Sequence, residues 1–419
     1  LENQAARRLS PRYASPCRNS GDPAAPNDAD GSRTDMGALV ALTENLQSGE
    51  VRWTRSGSPY RVTDHLTVPA GLTLRIDPGV HVQVEANRRL TVLGRLLAEG
   101  TAQQRILFTG IPGAFAAGDA DPVKNGIQTG PPKWGGVRVT DSMTQENIVS
   151  YVDFVDAQGT SPAGTENYGS IGFIRSWGLV QYCTWAGTHL RMCYGRNSQL
   201  LIRHNIFPDM FIFDPVLGRI ENTTDFVASA DNSQEPLKIE YPTTDPEVTG
   251  KPAFTNGQPT GGFFRVYYNQ FNGNRGHNDV FDADSGRWNV AGQFLLDCRY
   301  NHFRGISGDE HIDLGGDAYI ASNIFERAAK DQWTSDTGYS NAISSGDRGT
   351  GTTIVVARNL FFDLDHAINL KANTGTLFEH NTVADFHPDF NYSGTTAGGT
   401  AFTQAVKCAA INVSVPEDG

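Results

Sequence analysis

Five segments in the second half of the chain can be laid over one another, and that repetition restricts the fold more than any other property of the sequence. YNQFNG is followed by DVFDADS, YNHFRG by EHIDLGG, SNIFER by NAISSGD, RNLFFD by HAINLKA and HNTVAD by AAINVSV. The overlay places Asn269, Asn301, Asn323, Asn359 and Asn381 in one column, at spacings of 32, 22, 36 and 22. His204-Asn205-Ile206-Phe207 reads as an earlier member. A unit of about 22 residues that tolerates insertions marks a solenoid, in which each coil packs on its neighbours. Each coil is expected to add short strands to parallel sheets and to rise by one strand spacing, ~4.8 Å. The Asn column then has an architectural role, because amides stacked at a turn can hydrogen-bond to the same residue one coil up and down.

Upstream, from about residue 59, the rhythm is simpler. Leu72, Leu74 and Ile76 alternate with polar residues, as do Val80, Val82 and Val84, then Leu90 and Val92, then Ile106 and Phe108. Period-two alternation in short runs means half-buried strands, and Gly71, Gly79, Gly94, Gly100 and Gly110 punctuate them at turns. Composition agrees: 45 glycines, 4 methionines and only 19% charged residues suit an extended β protein rather than a helical one. No run of about 18 apolar residues offers a transmembrane segment. The formal charge of −12 speaks against a nucleic-acid partner. The five cysteines contain no CxxC pair and so exclude a zinc site of that type; Cys183 and Cys193 either close a short disulfide loop or remain buried thiols.

Residues 1–58, rich in Pro, Gly, Asp and Ser, read as an irregular leader or the end of a preceding module. Residues 59–419 read as the coil region. A long loop insertion is expected at about 208–262, where Pro208, Pro215, Pro236, Pro242 and Pro246 interrupt the rhythm. Over roughly residues 59–413 the pattern resembles the right-handed parallel β-helices. The resemblance implies an all-β solenoid with long loop insertions, and the general rule for parallel crossovers gives the same hand.

Chemistry is expected on one outer face. Phe281, Ile312, Ile343, Ile368 and Ile411 form an unbroken apolar column that should point inward, so Asp282, Asp313, Ser344, Asn369 and Asn412 should point outward. His311 is expected outside, on the other side of Ile312, and Asp279, Asp309 and Glu310 just ahead of these strands. Carboxylates one strand spacing apart, ~4.8 Å, need a cation or a raised pKa. Calcium, a hard ion that takes oxygen ligands, is the economical answer. Asn27-Asp28-Ala29-Asp30-Gly31 with Asp35 also opens like a calcium loop, making Asp28, Asp30 and Asp35 further metal candidates, although no EF-hand Glu follows. Lys371 projects onto the same face two coils from Asp313.

An acidic cluster beside a Lys on a β-helix face resembles the active sites of pectate-lyase-like polysaccharide lyases. That resemblance implies a calcium-assisted elimination on an acidic polysaccharide, with Lys371 as base and Asp282, Asp309 and Asp313 as leading ligands. Lys330 and His366 compete for the role of base, and a glycoside hydrolase is the neighbouring enzymatic reading. Trp333 and Tyr339, in the insertion AAKDQWTSDTGYS, are placed to stack on sugar rings; Arg348 and His311 complete the substrate-binding candidates. GDEHIDLGGDAYIASNIFERAAKDQ and VARNLFFDLDHAINLK, with SPC, GDP and DADGSRTDMGA near the start, resemble β-helix segments of large secreted bacterial surface proteins. That similarity implies a secreted or cell-surface location. It also supports the alternative, a non-catalytic surface or fibre module whose strand edges at the ends pair with neighbouring domains or subunits.

Overall fold

Apolar residues that recur every second position over three to five residues, then stop at a turn, cannot make a helix or a wide sheet; they make narrow strands that must stack to bury one face. A computed structural model shows that arrangement. It describes residues 49–111, 134–157, 168–188, 191–208, 213–214, 219–220, 235–240, 263–273, 279–284, 296–306, 310–328, 340–345, 352–371, 374–395 and 401–413. The protein is a parallel β-helix in which the chain visits three parallel sheets in rotation, one strand per sheet per coil. Among the described residues the one helical element is the 3-10 turn Arg55–Gly57, and no helix is long and apolar enough to cross a membrane.

The chain divides into two units, Leu1–Thr188 and His189–Gly419. In the first, Gly49–Trp53, Leu72–Ile76 and Arg95–Glu99 pair in parallel in the first sheet, with Val51, Leu74 and Leu96 stacked in register and buried. The coils therefore begin by Gly49, not at about 59. Phe108, Trp134, Phe154 and Trp185 fill the interior, with successive ring centroids 5.7, 6.5 and 5.9 Å apart.

In the second unit the third sheet runs Cys193–Arg196, Leu237–Glu240, Phe281–Asp284, Glu310–Leu314, Asn341–Ser345, His366–Leu370 and Ala409–Val413. Leu237–Glu240 lies inside the stretch expected to be loop. It is a full rung, paired on both sides with Leu237 against Cys193 and Phe281, so the expected insertion is interrupted by a strand. The alternation Leu237-Lys238-Ile239-Glu240 was the signal for it, masked by the surrounding prolines. Two antiparallel hairpins, Phe213–Asp214 with Arg219–Ile220 and Phe390–Thr395 with Ala401–Val406, are added to the coils. Cys183, Cys193 and Cys298 are buried free thiols, which resolves the disulfide alternative; burial pushes the Cys183 thiol up to about 12.

Two stacks hold the second unit together. Phe207, Phe271, Phe303, Phe325 and Phe361 are fully buried, with successive centroids 4.5, 4.6, 4.9 and 4.9 Å apart. The Asn column stacks as expected. Asn301 N and Nδ2 both donate to Asn323 Oδ1, at 2.8 and 3.0 Å, and Asn323 N and Nδ2 repeat this onto Asn359 at 2.9 and 3.1 Å. Each Nδ2 also reaches back to a strand carbonyl, as Asn323 does to Cys298 O at 2.9 Å. The residue before each Asn is left-handed (Tyr268 φ 57, Tyr300 φ 61, Ser322 φ 57, Arg358 φ 56), so the ladder fixes a turn that non-Gly residues adopt reluctantly.

Asn323→Ala should leave the Asn301 backbone N–H buried without its acceptor and take one donor from the Cys298 carbonyl. A loss of about 2–3 kcal/mol is expected in chemical denaturation, whereas Leu360→Thr, on the outward side of the neighbouring strand, should cost well under that.

Candidate functional site

The third sheet of the second unit carries two polar columns. The first lies two residues ahead of the inward Leu237, Phe281 and Ile312 and reads Arg191, Glu235, Asp279, Glu310, Asn341, His366 on successive rungs. The second is the outward column Tyr194, Lys238, Asp282, Asp313, Ser344, Asn369 and Asn412, in register throughout. The expected inward column is also in register; Phe281, Ile312, Ile343 and Ile368 are fully buried, while Ile411 on the last rung is exposed.

The carboxylates of Glu235, Asp279 and Asp282 converge, each offering an oxygen within 4.8 Å of the others. Asp279 and Asp282 belong to the expected ligand set; Glu235 does not. Glu235 and Asp282 are almost fully buried, and each has a cationic partner. Arg191 Nη2 lies 2.8 Å from Glu235 Oε2, and Lys238 Nζ hydrogen-bonds Asp282 Oδ2. Burial alone would pull the Lys238 ammonium down, but Asp282 and then Glu235 outweigh it, so Lys238 is held above its ordinary value and stays charged. Asp279 Oδ1 accepts from Glu310 N at 3.2 Å. Glu310 Oε1 accepts from Asn341 Nδ2 at 2.9 Å, and Asn341 Oδ1 faces His366 Nδ1 at 3.0 Å. Asp313 is the next residue in register after Asp282, and Lys371 Nζ lies 3.9 Å from its Oδ1.

Two expected site residues are placed elsewhere. His311 is not outside but fully buried, its ring 5.9 and 6.0 Å from the centroids of Phe303 and Phe325. Neither ring nitrogen has a hydrogen-bond partner among the described residues, and burial, with a smaller contribution from His302, pulls its pKa down to about 3. It fits because the same column on the next rungs holds Ala342 and Ala367. His366 is fully buried, with Nε2 on the Lys407 carbonyl and Nδ1 on Asn341, which leaves no nitrogen for a substrate proton. Asp28, Asp30, Asp35, Asp309, Lys330, Trp333, Tyr339 and Arg348 lie outside the described residues.

Three carboxylates are the oxygen donor set a hard cation takes, and calcium needs about six to eight such oxygens. The set fits calcium in chemistry, with the condition that the ion competes with the Lys238 ammonium for Asp282. Comparison with protein-family models, with curated proteins and with solved structures finds no match for this chain.

Removing Lys238 leaves the converging carboxylates without their nearest counter-charge. Lys238→Met should cost about 3 kcal/mol at neutral pH, a loss that shrinks on acidification because protonating a crowded carboxylate relieves the repulsion. Thermal denaturation at two pH values checks this. His311→Leu, which exchanges an unsatisfied buried ring for an apolar side chain, should leave the melting temperature equal or raise it.

Proposed function

We propose that this chain is an exported polysaccharide-binding β-helix whose third-sheet face acts on an acidic polysaccharide by calcium-assisted β-elimination. The observation that carries the reading is the convergence of Glu235, Asp279 and Asp282 on the sheet that also bears Asp313 and Lys371. Calcium held by Glu235, Asp279 and Asp282 would bind a uronate carboxylate and make the neighbouring C5 proton more acidic. Lys371 would accept that proton through Nζ, and Asp313 would hold the Lys371 side chain toward the same face.

A second reading rests on the same ion pair. A carboxylate 3.9 Å from Lys371 Nζ favours the protonated ammonium, which cannot act as a base. On that ground the face would hold a polyanion without cutting it, and the protein would be a surface or fibre module.

Incubation with a panel of uronate polymers, following the ultraviolet absorbance of the unsaturated product with calcium and with chelator, separates the two. The lyase reading expects calcium-dependent product from wild type and a loss of about 100-fold or more in Lys371→Ala. Binding of the polymer without product, unchanged in Lys371→Ala, supports the module reading; no product and no binding across the panel defeats both.

A further inference from the structure

The base of the hairpin Phe390–Thr395 and Ala401–Val406 is tied to the coils at one point of concentrated charge. The chain leaves the strand Thr382–Phe386 through His387, Pro388 and Asp389 and returns through Lys407 and Cys408 to the last described strand. His387 N donates to Leu364 O at 3.0 Å, which fixes the residue over the preceding rung. Its ring then faces two carboxylates of that rung: Nδ1 lies 2.9 Å from Asp365 Oδ1, and Nε2 lies 2.6 Å from Asp363 Oδ1. Asp365 is fully buried, and Asp363 is a non-Gly residue held at φ 59. An imidazole satisfies two carboxylate acceptors only when both nitrogens carry protons, that is, as imidazolium.

We propose that His387 is a pH-operated clasp that holds the base of the hairpin strap, Phe390–Thr395 with Ala401–Val406, on the coils while its ring is doubly protonated and releases it when the ring becomes neutral. Loss of one proton turns a charge-assisted hydrogen bond into a lone pair facing a carboxylate. The groups packed around the clasp do not share this titration. Asp389 accepts from Lys407 Nζ at 2.7 Å and from Cys408 N at 3.0 Å, a pair that joins the two arms of the hairpin base and stays charged. The Cys408 thiol, whose Sγ lies 3.8 Å from Asp365 Oδ1, is pushed up to about 12, first by burial and then by Asp365 and Asp389. His366 donates toward the Lys407 carbonyl, and burial holds its pKa low. His387 itself is about a third exposed and can exchange protons with solvent; burial lowers its pKa, but the hydrogen bonds to Asp365 and then Asp363 outweigh burial and raise it above the ordinary 6.5. A raised folded pKa contributes stability that is complete below the unfolded value and is lost as pH rises through the folded one, so the strap opens on the alkaline side.

Hydrogen exchange of the full chain, corrected for intrinsic rates, tests this at the amides of Phe390–Thr395 and Ala401–Val406. Between about pH 6 and about pH 9 their protection should fall by about ten-fold or more, while the amides of Ile324–Ala328 hold theirs. His387→Gln, which keeps a single neutral donor, should show the low protection at every pH. Asp363→Asn, which removes the more exposed carboxylate, should move the transition to lower pH. Constant strap protection in wild type across that range, a wild-type pH profile in His387→Gln, or an unmoved transition in Asp363→Asn would each overturn the clasp.

Discussion

A residue in a parallel stack meets its counterpart on the next rung at one strand spacing, ~4.8 Å, and everything else in this protein follows from whether like can sit on like at that distance. Apolar side chains can, and Phe207, Phe271, Phe303, Phe325 and Phe361 do so ring on ring. Amides can, because one group carries donor and acceptor together; the Asn column passes its hydrogen bonds along in one direction, each Oδ1 accepting twice from the residue before. Carboxylates cannot.

The candidate site lies where that rule is broken. Along the column from Arg191 to His366, the charge runs from one cation through Glu235, Asp279 and Glu310 to the neutral Asn341. Arg191 compensates the first carboxylate and Asn341 satisfies the last by hydrogen bonding. Asp279, between them, sits beside Asp282 of the outward column, whose partner is Lys238. Arg191 and Lys238 thus set two positive charges against the four carboxylates of Glu235, Asp279, Asp282 and Glu310, and a free cation that takes Asp282 enters as a competitor of Lys238. The same accounting governs Lys371, since a base must give up its proton and Asp313 opposes that. Whether the face holds a polyanion or cuts it therefore turns on how charge is shared over Asp282, Asp313 and the two lysines.

The coil architecture and the inward column from Phe281 to Ile368 were legible in the sequence, because period two and the recurring Asn set the register; the column expected outside is in register too, but its members Asp282, Ser344 and Asn369 are buried. The polar partners were not legible. Glu235 and Lys238 come from a Pro-rich stretch in which a single four-residue strand carries the register, and four residues of alternation compete poorly with five prolines. His311 was misassigned for a different reason: strict alternation fails at the start of its strand, where Glu310, His311 and Ile312 are all buried. The alanines that make room for the ring stand on other rungs, more than 30 residues away at Ala342 and more than 50 at Ala367.

Long-range register also explains why the strap needs a charged clasp. Within the coils every strand but those at the ends of the three sheets is flanked by partners that supply hydrogen bonds by repetition. The hairpin Phe390–Thr395 with Ala401–Val406 pairs only with itself among the described strands. Beside the backbone bonds of His387 N to Leu364 O and Ala409 N to Asp365 O, the attachment comes from side chains at the base, the Cys408 thiol contact and the doubly bound His387. A stack buys order through periodicity; an element outside the period has to be held by chemistry, and chemistry responds to pH in a way that periodic backbone pairing does not.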